Sequence, residues 1–254
     1  MISQLFGSIW LSLFAIFVAA IIRGYGGFGF SLAAVPLLGA SLPLSQVVPL
    51  ALTLEMVGIL PSITRVWRLT HWRELTYFLG ASFAMAPLGM FVLHAIPSAL
   101  LRPGLCIAVL VCVVCIWRPR LPAVAAENRL HAILAGGVSG FLNGAAAMSG
   151  PPIIVYFLGR RSLNQDAARA TMMMFFSLGA SATLAAGIYF HAYQSPPTPL
   201  LLASLAPLYA GIEVGTFLVS EHNPGVRRRI ALLFLAGVAS FGLFQSFTSY
   251  SLGN

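Results

Sequence analysis

Two glycine-rich interruptions of an otherwise apolar sequence hold the residues best suited to chemistry. Residues 23–30 read RGYGGFGF, and residues 140–152 read GFLNGAAAMSGPP. Glycine lets the backbone approach a ligand closely, and proline suits the first turn of a helix, where its missing N–H is no loss. The free N–H groups at the start of a helix favour negative charge. The two interruptions therefore predict a binding site for an anion.

Polar side chains within the interruptions are the expected donors to that anion, because a guanidinium matches the oxygen geometry of an oxyanion. Two alternatives stay open: the glycines serve only close helix packing, or Arg23 reaches the membrane interface at the end of its helix. The predicted substrate-binding residues are Arg23, Tyr25, Gly26, Gly27, Gly29, Asn143, Ser149, Gly150 and Pro151.

Two acidic residues lie inside apolar segments, Glu55 at the middle of residues 46–64 and Glu213 between two glycines. Charge at membrane depth is costly, and proton relay is one of its standard uses. Both are therefore candidates for proton coupling, the alternative being a carboxyl that is kept neutral or paired with an arginine for structure. No spacing of histidine, cysteine or acidic residues suggests a metal site, and no cofactor is expected.

The composition decides what kind of protein must position these residues. Of 254 residues, 59% are hydrophobic and only 8% charged, and the mean hydropathy is +0.90. Soluble globular proteins carry about a quarter charged residues, so a soluble enzyme is excluded. The predicted fold class is an all-α polytopic membrane protein with broken or re-entrant helices.

Ten apolar segments divide the chain. Residues 151–159 would rise only about 14 Å as a helix, half of the roughly 30 Å hydrocarbon core, and cannot span it alone. The segments are residues 5–22, 28–44, 46–64, 75–93, 104–117, 130–148, 151–159, 167–190, 200–219 and 229–247.

The arginines indicate the topology. All 14 basic residues are arginine, and twelve of them fall in or beside four connections, three in each. Short cytoplasmic loops accumulate positive charge, so these connections are expected in the cytoplasm and both termini outside. The net charge of +8 is thus a topological signal, and no nucleic-acid partner is expected.

This layout makes the second half of the chain enter the membrane upside down relative to the first. The two predicted repeats of about five segments each are residues 1–125 and 126–254. Weak identities support them, since Val35, Leu38 and Gly39 meet Val155, Leu158 and Gly159 at an offset of 120 residues. Matched interruptions in inverted repeats mark the substrate site of many transporters.

The stretches RGYGGFGFSLAAVPLL, GFLNGAAAMSGPPIIVYFLG and NQDAARATMMMFFS, together with the two-halved layout, resemble the sulfite exporter family TauE/SafE. The resemblance covers nearly the whole chain, and its most specific part begins at Ser149. It implies transport of sulfite, organosulfonates or related small sulfur-containing anions across the bacterial inner membrane.

The function expected from the sequence is therefore a secondary transporter or exporter of such an anion, with no enzymatic activity. A passive anion channel is the nearer alternative, and a membrane-embedded enzyme the more distant one, because the intramembrane residues offer no catalytic cluster. The expected partners are the anion and the lipid bilayer, and a homodimer stays open.

Overall fold

A computed structural model describes residues 2–27, 30–39, 42–96, 129–159, 164–191, 193 and 198–219, together with the isolated residues 104, 107, 110, 111, 114, 233, 236, 237 and 240. These residues form nine α-helices and one 3-10 helix, with no strand among them. The α-helices are α1 (Ile2–Gly26), α2 (Phe30–Leu38), α3 (Leu44–Val57), α4 (Ile63–Leu69), α5 (Trp72–Ala95), α6 (Arg129–Ala146), α7 (Gly150–Gly159), α8 (Gln165–Tyr189) and α9 (Thr198–Val219), and the 3-10 helix is Leu60–Ser62.

The helices confirm the predicted all-α polytopic fold. Among the described residues, five stretches are long and apolar enough to cross a membrane: Ile9–Gly26, Leu44–Leu69, Trp72–Leu93, Asp166–Tyr189 and Thr198–Leu218. The predicted segments 104–117 and 229–247 lie outside the described residues apart from isolated positions. Helix α7, at 10 residues, has the shortness expected of residues 151–159.

Helix α2 corrects the prediction for residues 28–44. It has only 9 residues, so the first half also contains a helix too short to span the membrane alone. The chain turns after Leu38, where Gly39 N–H donates to the Val35 carbonyl at 2.8 Å. Each half of the described chain therefore pairs a longer first helix with a short second one.

The predicted segment 46–64 lies within the candidate span Leu44–Leu69, but it is not one continuous helix, because α3 ends at Val57 and the chain continues as the 3-10 helix and α4. Pro61 explains the interruption. Having no N–H, it cannot donate to the carbonyl four residues earlier, and the hydroxyl of Tyr209 donates to that Val57 carbonyl at 3.2 Å instead. The Met56 carbonyl accepts from Ser177 at 3.3 Å.

Glycines on one face of α6 set its packing against α5. Gly136, Gly140 and Gly144 recur at four-residue intervals, and each lies against the α5 backbone, at Phe78, Ser82 and Ala86 respectively. An added Cβ at any of the three would overlap backbone atoms of α5. Small residues at this spacing allow membrane helices to approach closely, so α5 and α6 pack along their lengths.

Helices α1 and α9 pack in a similar way, with Gly24 of α1 against the backbone of α9 at Ile212 and Gly215. The first helix of each half thus lies along the last described helix of the other half. An inverted repeat would produce this exchange of partners, and the repeat itself stays a prediction.

Aromatic rings anchor the short helix α7 in the core. Phe78 of α5 contacts Tyr156 and Phe157 of α7, with ring centroids 5.0 and 5.7 Å apart, and Phe175 of α8 at 5.9 Å. Offset and edge-to-face aromatic pairs stabilise beyond the area they bury. The packing holds the helix that follows the second interruption.

Two neighbouring glycines of α6 provide a matched test of the packing. Gly140→Ala is expected to destabilise the protein by about 1–3 kcal/mol, because the new methyl group meets the Ser82 backbone, which cannot move as a side chain can. Gly137→Ala is expected to be neutral or to stabilise, because among the described residues its Cβ would meet Met85 Cγ alone, at 3.6 Å, and alanine favours helix. Thermal unfolding in detergent measures both, and equal effects would contradict the packing role.

Candidate functional site

Both helix interruptions are shorter than predicted. Helix α1 continues through Gly26, so Arg23, Tyr25 and Gly26 lie in helix rather than in a loop, and α6 continues through Ala146, so Asn143 is likewise helical. Hydrogen bonds between backbone groups four residues apart persist in both helices beyond the predicted starts of the breaks. Several glycines assigned to the breaks, Gly140 and Gly144 among them, instead serve helix packing.

The first break follows Gly27, which has the positive φ of 76° that glycine adopts without a steric penalty. Its N–H donates to the Arg23 carbonyl at 2.7 Å. The Arg169 side chain of α8 packs over this glycine, where a Cβ would overlap it, and its Nη2 donates to the Gly24 carbonyl at 3.0 Å. A cation at the C-terminal end of a helix is favourable. Gly29 lies outside the described residues.

The second break is the stretch Ala147 to Ser149 between α6 and α7. Ala147 has a positive φ of 55°, which is strained for a residue with a Cβ. Ser149 is buried, Gly150 begins α7, and Pro151 stands in its first turn, as expected for proline.

Tyr193 contacts the end of α6 beside this second break. Its hydroxyl donates to the Gly144 carbonyl at 3.2 Å, one of the carbonyls that lose their helical partner where α6 ends. Burial raises the pKa of the Tyr193 hydroxyl, so the group stays a neutral donor at physiological pH. The sequence pattern gave no sign of this role, because Tyr193 follows the end of α8.

The two breaks meet inside the protein. A Cβ at Gly150 would lie 2.9 Å from Leu32 Cδ1, which belongs to the first turn of α2. A void of about 10 Å³ between them, scarcely enough for one water, is lined by Ser31, Leu32, Glu55, Ala147, Ser149, Gly150 and Phe176. The structure thus brings Ser149 and Gly150 of the predicted site together with Glu55.

Arg23 and Glu55 form a buried ion pair beside this void. Arg23 Nη1 donates to Glu55 Oε1, and Ser31 Oγ donates to Glu55 Oε2 at 2.6 Å. The two side chains are only 3% and 8% exposed. For Glu55, the sequence left pairing with an arginine open as the alternative to proton coupling, and this contact is such a pair. It ties the end of α1, the start of α2 and α3 together at the first break.

Asn143 links the first and third helices of the second half. It stands 120 residues after Arg23, and its Nδ2 donates to Thr183 Oγ1 at 2.8 Å and to the Gly179 carbonyl at 3.2 Å, both in α8. Asn143 is buried, and these two bonds occupy both N–H groups of its amide. The link between the first and third helices is therefore charged in the first half and neutral in the second.

An open cavity of about 400 Å³ lies on the other side of Arg23. Its charged lining residues are Arg23, Arg65, Arg169, Asp166 and Glu213. The sequence prediction placed Arg65 and Arg169 in or beside cytoplasmic connections and did not connect them with the substrate. The cavity also explains Glu213, which lies on α9 at the cavity rather than in the core. The predicted Tyr25 is buried in α1 next to Gly215 of α9.

The comparison with known families identifies the kind of protein that carries these breaks, this buried ion pair and this arginine-lined cavity. The family model described as "Sulfite exporter TauE/SafE" matches residues 12–241, which include every helix that builds the site apart from the start of α1. The chain belongs to the TauE/SafE sulfite exporter family. Neither a curated protein nor a solved structure matches the chain.

Membership of the TauE/SafE family confirms the resemblance seen in the sequence. This family consists of membrane transporters of sulfur-containing anions, and the five candidate spans agree with a multi-pass membrane protein. Among the described residues of this TauE/SafE chain, no group of three or more histidine, cysteine or acidic side chains is arranged to hold a metal ion. The polar groups at the site are instead of the types that bind oxyanions.

The buried ion pair of this TauE/SafE protein yields a stability prediction. Arg23→Met removes the cation and leaves Glu55 in the core, which is expected to cost about 3–5 kcal/mol. The double variant Arg23→Met with Glu55→Leu removes both charges and is expected to regain most of that loss. Unfolding in detergent, followed by circular dichroism, measures both proteins. A double variant no more stable than Arg23→Met would show that the two charges are not energetically coupled.

Proposed function

We propose that this protein is a secondary transporter or exporter that moves sulfite or an organosulfonate across the bacterial inner membrane. The observation that supports this most directly is the continuity from the open arginine-lined cavity, through Arg23 and Glu55, to the small void where the breaks meet. Groups that bind oxyanions line one end of this path, and helix breaks line the other.

The substrate is proposed to bind where the two breaks meet, near the midplane of the membrane. Ser149 lines the void there with a hydroxyl group, and Gly150 lets the α7 backbone approach closely. Two short helices, α2 and α7, begin at this point, and the unpaired N–H groups of their first turns favour an anion. Matched helix breaks that hold the substrate are typical of transporters built from inverted repeats.

Gated transport is favoured over a passive channel by the size of the void. About 10 Å³ is far too small for a sulfur oxyanion, so the described residues hold the path closed between the cavity and the breaks. A channel in its conducting state needs a continuous pathway. A transporter opens the site to one side at a time, and this arrangement fits the state in which the cavity is open and the breaks are closed.

The inside-negative membrane potential determines which direction needs energy. It is worth about 2.3 kcal/mol per charge per 100 mV, so export of an anion proceeds without a coupled ion, whereas uptake requires one. Glu55 and Glu213 are the proposed proton-coupling residues if coupling occurs. Both line spaces along the proposed path.

The proposed orientation places the arginine-lined cavity on the cytoplasmic side and both termini outside. A membrane-impermeant maleimide is expected to label Thr198→Cys and Asn254→Cys in intact cells, and to label Arg68→Cys only after the cells are opened. Thr198 and Arg68 are exposed positions, the first at the start of α9 and the second on α4. Labelling of Arg68→Cys in intact cells would overturn the orientation.

The function is tested by flux in proteoliposomes. Sulfite, thiosulfate, sulfate and sulfoacetate are supplied one at a time, with and without an imposed potential. At least one of the reduced or organic sulfur anions is expected to show saturable flux and counterflow, both of which a channel lacks. Absence of flux for the whole panel from folded protein would refute the proposal.

Two glycine variants locate the substrate path in the same assay. Gly150→Leu is expected to abolish flux, because its side chain fills the void and meets Leu32. Gly80→Leu is the matched control, since a Cβ at Gly80 meets no atom of the described residues within 4 Å, and it is expected to transport normally. Normal transport by Gly150→Leu would mean that the second break is only a packing feature.

A further inference from the structure

The guanidinium of Arg23 is only partly used by the protein. Nη1 donates to Glu55, whereas Nη2 is buried and has no hydrogen-bond partner among the described residues. A guanidinium carries five N–H donors in a rigid fork, and a buried charged donor without a partner is costly. Arg23 is 3% exposed and lines the 400 Å³ cavity. The cavity is therefore the side from which a partner for Nη2 can come.

We propose that Glu55 is a built-in competitor of the transported anion, and that its exchange for the anion on Arg23 opens the path. This rests on the proposed function. In the state described here the Glu55 carboxylate holds one arm of the guanidinium. An oxyanion entering the cavity binds Nη2 first and then replaces Glu55 at Nη1, giving the two-point contact that guanidinium makes with oxyanions. Sulfite, thiosulfate and sulfonates all have the oxygens for this contact.

The surroundings of Glu55 fit such an exchange. Its second oxygen already accepts from Ser31 Oγ at 2.6 Å, so the carboxylate keeps one hydrogen bond when Arg23 is taken away. On the far side of the carboxylate lies the void with Ser149 and Gly150. Glu55 therefore stands between the cavity and the meeting point of the breaks, and its displacement would join the two spaces.

Room for the guanidinium to turn is provided by Gly58, the residue after the end of α3. A Cβ at this position would lie 3.3 Å from Arg23 Cζ and Nε, tighter than ordinary van der Waals contact. Without a side chain there, the guanidinium is not clamped against α3. The same glycine begins the interruption between α3 and α4 that Pro61 causes, so the break in α3 opens the cavity next to Arg23.

Because the other charged residues of the cavity are of both signs, Arg23 is the residue that determines the affinity for the anion. Arg65 and Arg169 attract anions, but Asp166 and Glu213 line the same space, and Arg169 also donates to the Gly24 carbonyl. The entrance is therefore of mixed charge. Arg23 becomes a buried cation without a competing carboxylate only after Glu55 has moved away from it. The exchange of Glu55 for the anion, rather than entry of the anion into the cavity, therefore sets the affinity.

The test measures binding of sulfite and thiosulfate to the full-length protein in detergent by isothermal titration calorimetry, at one pH and with ionic strength held constant by gluconate. Glu55→Gln keeps the size and the hydrogen bonds of the side chain but removes the competing charge. It is expected to bind both anions about tenfold more tightly than the wild type, the effect of one charge-assisted hydrogen bond. Ser31→Ala loosens Glu55 without removing it and is expected to tighten binding by a smaller factor.

Two arginines of α4 provide matched controls. Arg65 lines the cavity, whereas Arg68 of the same helix is exposed and does not. Arg65→Gln is expected to weaken binding by a few fold, within the range of an exposed charge interaction, and Arg68→Gln to leave it unchanged. Equal weakening by both would indicate a general electrostatic effect instead of a site.

Unchanged or weaker binding by folded Glu55→Gln would overturn the proposal, because it would make the ion pair purely structural. If Glu55→Gln does not fold, Ser31→Ala decides, and its affinity must exceed that of the wild type. Flux in proteoliposomes separates this failure from that of the proposed function. Wild-type flux without tighter binding by the variants rejects only the exchange, whereas absence of wild-type flux rejects transport of these anions.

Discussion

Backbone polar groups at membrane depth must be hydrogen-bonded by the protein itself, and the rest of this structure depends on how it meets that constraint. Near the helix ends beside the breaks, side chains from other parts of the chain donate hydrogen bonds to backbone carbonyls. Tyr209 donates to Val57 at the end of α3, Tyr193 to Gly144 near the end of α6, and Arg169 to Gly24 near the end of α1. Each of these hydrogen bonds also joins a break to a distant part of the chain, so the packing of the whole bundle holds the breaks in place.

The glycines serve that same bundle in two ways. Gly136, Gly140 and Gly144 bring α5 and α6 into close contact, while Gly27, Gly58 and Gly150 leave space beside Arg169, Arg23 and Leu32 respectively. In the first group, the absence of a side chain lets the backbones of the two helices approach each other closely. Within the second group, Gly27 accommodates the Arg169 side chain, Gly58 lines the cavity and Gly150 lines the void, so the glycines of this bundle have different physical roles.

The two halves differ most in the contact between their first and third helices. Arg23 meets Glu55 in the first half, whereas Asn143, 120 residues later, meets neutral partners in the second. A buried ion pair costs desolvation free energy that a neutral amide does not. The charged version stands at the boundary between the cavity and the breaks, and the neutral version holds α6 to α8. The same helix-to-helix link is thus made by an ion pair in one half and by a neutral amide in the other.

The sequence by itself determined the all-helical membrane fold, the positions of the two breaks to within a few residues, the short helix α7 and the family. These follow from hydropathy, segment length and local glycine and proline content, which are properties of neighbouring residues. The tertiary structure alone decided that Glu55 pairs with Arg23, that Arg65 and Arg169 line a cavity, and that Pro61 divides α3 from α4 with Tyr209 as the replacement donor. Those outcomes join residues that are 32 to 152 positions apart, and helix propensity and periodicity contain no information on contacts at that separation.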